Sequence, residues 1–283
     1  MSGLARIYNP FAYPGIKPGF NQGHVAAAGV VSGHGISAIS LGRTLINVLS
    51  GKPGVNSGSV AITATVDGSL GPVTVYPIHQ TLTGGTDFTG QSTVTDTNVT
   101  MAGIVRFNQV NSGLYQVVIV INGAILLSLK GTGELVIYGA GSAETASGLF
   151  PSVSVPYFLV ASASSSQVNF GFTNLLTGSI QTSTIVTPIT GGAATGTYTI
   201  GNGDPTGNGQ SIIGNIAAAM FSPTYLGHAT LKLWLMNPWS FWYPRFGLSV
   251  DLEKTSAAAV VFRKTLSQIG GRVGSRQPQG WAS

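Results

Sequence analysis

The sequence predicts an all-β protein, an antiparallel β-sandwich of the jelly-roll type followed by a C-terminal extension. Three observations carry this reading. Apolar residues recur at every second position in many short runs, turn-forming dipeptides separate those runs, and helical periodicity is confined to two short stretches.

In chain order, strands are predicted near residues 25–31 and 36–48. Val60, Ile62, Ala64 and Val66 then share one face, with Thr63 and Thr65 on the other, and the run stops at Asp67-Gly68, a hairpin-turn dipeptide. A strand near 73–78 precedes a second stripe of Val99, Met101, Val105 and Phe107. The clearest local signal is the apolar run 117–121, then Asn122-Gly123, then 124–129. A type I′ turn needs positive φ at both central residues, so this reads as a core β-hairpin. Strands follow near 135–138, at a third stripe of Val153, Val155, Tyr157 and Leu159, and near 168–173, 180–186, 195–200 and 212–221. One short helix is predicted over 226–236, ended by Asn237-Pro238 because the residue before proline is pushed out of the α region. A second is predicted over 256–269, with Ala258, Phe262, Leu266 and Ile269 on one face and Gly270-Gly271 as its stop. Residues 272–283 read as a tail.

The length of 283 residues suits one large domain with extensions. Only 7% of residues are charged, against roughly 25% in soluble domains, while glycine numbers 40. A surface so poor in charge has little repulsion to keep copies apart, so assembly, as a homo-oligomer, is expected. The longest apolar run, 117–129, is interrupted by Asn122-Gly123 and falls short of the 18 or so residues of a spanning helix, so no membrane insertion is expected. The N-terminus lacks a basic stretch followed by an apolar run, which points to synthesis in a cytoplasm. With no cysteine, disulfides, thiolate metal sites and thiol nucleophiles are excluded. The net charge of +5 is uneven: Arg245, Lys254, Arg263, Lys264, Arg272 and Arg276 all fall after Pro244, against Asp251 and Glu253. No internal repeat indicates a solenoid or propeller.

Residues 198–203 (Tyr-Thr-Ile-Gly-Asn-Gly), 210–221 (Gln-Ser-Ile-Ile-Gly-Asn-Ile-Ala-Ala-Ala-Met-Phe) and 226–239, ending in Asn237-Pro238-Trp239, form one further pattern. It resembles the closing part of LamG-like, concanavalin A-like jelly rolls of tailed-phage virion proteins, and Pro18 to Gly29 with Ser40-Leu41-Gly42-Arg43-Thr44 is similar in character to their opening. Here Ile216, Ala218 and Met220 are expected to alternate inward, Gly214 to permit a close approach and Trp239 to close the sandwich edge. The expected organisation is an N-terminal arm over 1–20, the jelly roll over 21–242 and a basic extension over 243–283. The resemblance implies a virion structural protein, a capsid decoration (cement) protein or a head or tail appendage. Its partners would be copies of itself, a trimer by analogy, and other virion proteins such as the major capsid protein. The rival reading is a carbohydrate-binding adhesin contacting the host surface.

The chemistry-bearing residues support binding over catalysis, and no enzyme activity is expected. Asp251 and Glu253 share a strand face but lack the further acid of laminarinase-like jelly rolls, and Glu134 and Glu144 have nothing in the sequence to bring them together. Many relatives of the LamG type bind calcium, and Asp204, with Asp87 or Asp96, is the candidate ligand, though Asn-Gly-Asp-Pro is also a turn sequence. His24, His34, His79 and His228 lack metal-ligand spacing. No glycine cluster forms a P-loop or dinucleotide fingerprint, and no nucleophile elbow is present. Trp234, Trp239, Trp242 and Tyr243 are candidates for a sugar platform or an interface, against the reading that they fill the domain's own core. Arg263, Lys264, Arg272 and Arg276 are candidates for contact with a neighbouring subunit; without interleaved aromatics they do not suggest nucleic acid.

Overall fold

The computed structural model describes Phe11 and residues 21–27, 36–40, 45–48, 55–56, 63–76, 86–94, 98–121, 125–139, 144–187, 194–201 and 209–242. The chain divides into two compact units, Met1–Tyr243 and Pro244–Ser283, and every described residue belongs to the first. The predicted helix over 256–269 and the tail after it lie outside the described residues.

The strands are β1 (Ile36–Ser40), β2 (Leu45–Asn47), β3 (Val55–Asn56), β4 (Thr63–Asp67), β5 (Gly71–Tyr76), β6 (Thr86–Val94), β7 (Val99–Phe107), β8 (Tyr115–Ile121) and β9 (Ile125–Leu129). They continue with β10 (Leu135–Tyr138), β11 (Glu144–Ala146), β12 (Pro156–Ala163), β13 (Val168–Asn174), β14 (Ile180–Ile185), β15 (Ala194–Ile200), β16 (Gly209–Ser211) and β17 (Gly214–Ser222). One helix, α1 (His228–Leu235), and a 3-10 turn at Pro238–Phe241 close the described chain. A large sheet runs β14-β13-β12-β7-β17-β1-β2, with β5 also on β17 and β4 on β5. A small sheet runs β11-β10-β9-β8-β15-β6-β3. Pairing is antiparallel throughout except for β16, which lies parallel to β8. The fold is the antiparallel β-sandwich that the alternation predicts.

The two sheets enclose one core, and the large sheet covers a second with its other face. Val99, Met101, Val105 and Phe107 of β7 turn inward to meet Ile119, Leu127, Leu135 and Tyr198 of the small sheet. Between them, Ala102 and Ile104 face outward, where they join Phe158, Val160, Trp234, Trp239, Phe241 and Trp242. Burial on both faces explains why β12 has no polar side at all. Backbone acceptors tie down the C-terminal end of α1 and the segment that leads into it. Thr173 Oγ1 donates to the Leu235 carbonyl at 2.7 Å, and Thr100 Oγ1 to that of Thr224 at 2.6 Å. Gly171 lies beneath the helix, where a Cβ would come within 2.5 Å of Leu235 Cδ1.

Several expectations are corrected. The stripe through Ala64 and Val66 does not face the core at its described end: Val66 is 76% exposed and Asp67 is 5% exposed. The cause is long-range, because Asp67 Oδ2 takes a 2.7 Å ion pair from Arg106 and a 3.2 Å hydrogen bond from Asn215. Asp67 Oδ1 accepts from the Ser69 and Leu70 N–H groups, and Gly71, at φ 74°, pairs with Asp67, so the turn holds three residues instead of two. In β17 a bulge at Ala217 shifts the alternation. Ile216 enters the core between the sheets as expected, but Ala218 and Met220 face the second core. The close approach at Gly214 is present, since a Cβ there would meet the Arg106 carbonyl oxygen at 2.0 Å. Val153 is exposed, while Tyr157 and Leu159 of that stripe belong to the core and the partly buried Val155 packs against it. The hairpin of β8 and β9 pairs Ile121 with Ile125, and its Asn122-Gly123 turn lies outside the described residues.

The two ends of the sandwich domain meet. The Asn21 N–H donates to the Phe241 carbonyl at 3.0 Å, and the Trp239 indole N–H to the Phe11 carbonyl at 3.0 Å. His24 packs its ring on Trp234 and Phe241 at 4.6 and 5.3 Å between centroids. Its Nδ1 accepts from the Ala26 N–H, and burial lowers its pKa to about 4. Between pH 6.5 and 4 the unfolded chain therefore takes up a proton that the folded ring refuses, and stability falls as the pH drops through that window. The ring is mostly buried but keeps some contact with solvent, so the loss is on the order of 2 kcal/mol. Urea unfolding across that range should show this slope, and His24→Phe should flatten it.

Candidate functional site

The outer face of the small sheet gathers two tyrosines and an ion pair from four separate segments. In β8, Gln116 turns inward: its Nε2 donates to the Gln109 carbonyl at 2.6 Å and its Oε1 accepts from the Ile213 N–H at 2.9 Å. The alternation then sends Tyr115 outward. Tyr138, at the end of β10, stands opposite Glu144 of β11 in register. Lys130 follows directly on β9. The four side chains converge on one carboxylate: Tyr115 and Tyr138 each donate their hydroxyl to Glu144 Oε2 at 2.6 Å, and Lys130 Nζ reaches Oε1 at 2.7 Å. The tyrosine rings meet edge to face, 5.3 Å apart at 79°. Beside them Val117, Val120 and Leu126 form a small apolar cluster against which Tyr138 packs.

The electrostatics fix the protonation states. Burial raises the Tyr138 pKa above the ordinary phenol range, and its bond to the Glu144 carboxylate raises it further; Tyr115 is raised by the same two causes. Burial also works against ionisation of Glu144, but the bonds from Lys130, Tyr115 and Tyr138 outweigh it and hold the carboxyl below its usual value. Lys130 is raised chiefly by its bond to Glu144. At neutral pH the face thus carries two neutral phenols and a closed ion pair of no net charge. It remains reachable, with Lys130 35% and Glu144 20% exposed in their side chains. Aromatic rings beside fixed polar groups suit a hydroxyl-rich ligand, whose C–H faces stack on the rings while its hydroxyls bond to the charged atoms.

Of the residues singled out in the sequence, Trp234, Trp239 and Trp242 are 2%, 3% and 0% exposed and fill the second core. Their rings offer no face to a sugar or a partner, because α1 and the turn after it must cover the outer side of the large sheet. Tyr243, Arg263, Lys264, Arg272, Arg276, Asp251 and Glu253 lie outside the described residues, as do Asp204 and Asp96, while Asp87 is described only as a backbone position in β6. Among the described residues no three His, Asp or Glu side chains stand close enough to hold a metal ion. Also among the described residues, no helix is long and apolar enough to cross a membrane. Glu134 and Glu144, unconnected in the sequence, are brought to one hairpin: Glu134 Oε1 accepts from the Gly148 N–H at 2.6 Å, and its charge also acts on Lys130. Sequence reading missed Tyr115, Lys130 and Tyr138; the available signal was the outward parity of Tyr115 once Gln116 is placed inside.

No protein-family model matches the chain, and no curated protein matches it. Among solved structures it is similar to domain 4 of AbnA, a GH43 extracellular arabinanase from Geobacillus stearothermophilus in complex with arabinotriose. That likeness has a TM-score of 0.46 at 12% identity, over 69% of this chain and 97% of that one. It is also similar to the binding domain of botulinum neurotoxin serotype C1, with a TM-score of 0.45 at 12% identity, over 71% of this chain and 51% of that one. A third likeness is to the enzymatically active domain of tailspike protein 2 of bacteriophage CBA120, with a TM-score of 0.42 at 13% identity, over 60% of this chain and 28% of that one. At these scores the likenesses assign no family.

Proposed function

We propose that this chain is a non-catalytic binding module of a tailed-phage virion appendage, and that it contacts a glycan through the outer face of its small sheet. The observation that carries the reading is the half-buried edge-to-face pair Tyr115–Tyr138 held on the partly exposed Glu144–Lys130 ion pair. The virion setting rests on the resemblance of residues 198–239 to LamG-like phage domains. The pKa directions favour binding over catalysis. A tyrosine nucleophile needs a lowered phenol pKa and a general acid a raised carboxyl, and this site has the reverse of both.

A glycan array probed with the whole chain tests the proposal. The wild type should bind a set of neutral oligosaccharides. Tyr138→Ala and Tyr115→Ala should each weaken binding about tenfold or more, since an aromatic platform of this kind contributes roughly 1–3 kcal/mol. Retention of full binding by both variants would move the site elsewhere. Capsid decoration is a second reading, favoured by a chain in which only 7% of residues are charged, and co-sedimentation with capsids is its test.

A further inference from the structure

Among the described residues the outermost strand of the large sheet carries no charge, proline or bulge to keep it from pairing. Among the described residues β14 (Ile180–Ile185) is the last strand, paired only with β13. Edge strands are ordinarily protected by charge, proline or a bulge. Here β14 reads Ile-Gln-Thr-Ser-Thr-Ile, its register on β13 is unbroken, and no charged residue occurs anywhere between Glu144 and Asp204. Exposed apolar side chains surround this edge. Leu176 in the β13–β14 turn is 59% exposed and Val186 just past β14 is 83% exposed, while Leu233 and Met236, on and just after the neighbouring α1, are 63% and 50% exposed.

We propose that β14 pairs with β14 of a second copy, antiparallel about a two-fold axis at Ser183, joining two large sheets into one. The backbone sets which groups are offered. The Asn174 N–H donates to the Ser179 carbonyl, so the odd-numbered residues of the strand turn their N–H and C=O toward β13. Ile180, Thr182 and Thr184 then turn theirs outward. A two-fold normal to the sheet keeps each face on its own side, so opposed residues have an even sum. Centred on Ser183, this places Ile180 opposite Val186 and Thr182 opposite Thr184 on one face, apolar against apolar and threonine against threonine, with Ser183 opposite itself and Gln181 opposite Ile185 on the other. Centred on Thr182, Ile180 would face Thr184 instead. The symmetry of the pattern selects a second copy over an unrelated strand, and a two-fold replaces the trimer expected by analogy. This proposal is independent of the glycan reading.

The chain has no cysteine, so single introduced cysteines report the pairing cleanly. Wild-type protein should sediment as a dimer. On mild oxidation Ser183→Cys should form a disulfide-linked dimer, because the two cysteines face each other in a non-hydrogen-bonded pair. Thr182→Cys and, as a collision control, the exposed Val66→Cys should stay unlinked. Ser183→Lys should yield a monomer with an unchanged circular dichroism spectrum and melting temperature; should that variant fail to fold, the cysteine series decides. A monomeric or trimeric wild type, or equal cross-linking of all three cysteine variants, would overturn the proposal.

Discussion

Replacing Asp67 by alanine should lower the unfolding free energy by about 3 kcal/mol in urea titrations. Removing one member of a buried ion pair commonly costs about 3–5 kcal/mol, and Arg106, partly open to water, recovers some of that. The Asp67 side chain is 1% exposed and that of Arg106 is 31% exposed. Its two carboxylate oxygens serve four donors: the Ser69 and Leu70 N–H groups, Arg106 and Asn215. Asp67→Ala strands all four at the junction of β4, β7 and β17. Asp67→Asn keeps an oxygen for the turn but loses the charge, and should fall between wild type and Asp67→Ala. A loss below about 1 kcal/mol, the level of an ordinary surface pair, would show the interaction to be incidental.

Trp242→Ala should cost about 3–5 kcal/mol, the range for deleting a large buried aromatic ring. Trp242 is fully buried, with Phe241, Phe158 and Trp234 at 5.3, 6.3 and 6.3 Å between ring centroids. Its indole N–H finds no partner among the described residues, unlike that of Trp239, which bonds to the Phe11 carbonyl. Trp242→Phe should accordingly cost less than about 1.5 kcal/mol, as it removes an unpaired buried donor with some volume. Trp239→Phe should cost more, because it leaves that carbonyl without the indole. Thermal melts of the three variants check this order, and equal losses for the two phenylalanine variants would contradict it.

What the sequence shows of this fold is what local chemistry decides. The β7 stripe, the β8–β9 pairing and the helix ended at Asn237-Pro238 depend on alternation and on proline, all visible within a few residues. Parity fails where a distant partner intervenes. Asp67 is drawn inward by Asn215, 148 positions away, and the bulge at Ala217 transfers Ala218 and Met220 to the other core. The aromatic run of 234–242 could be read as surface or core until the large sheet was known to need cover on its outer face. The site was less legible still. Tyr115 and Glu144 are 29 positions apart and meet only because β8, β9, β10 and β11 are consecutive neighbours in the small sheet.

The central claim is the location of the binding face, and amide hydrogen exchange of the full chain with and without its best-bound oligosaccharide tests it most directly. Added protection should concentrate in Tyr115–Ile121, Leu135–Tyr138 and Glu144–Ala146, with the region around Lys130. At a ligand concentration near the wild-type Kd, the same ligand should protect these strands of Tyr138→Ala far less. Protection confined to the large sheet, or to loops away from these strands, would contradict the account.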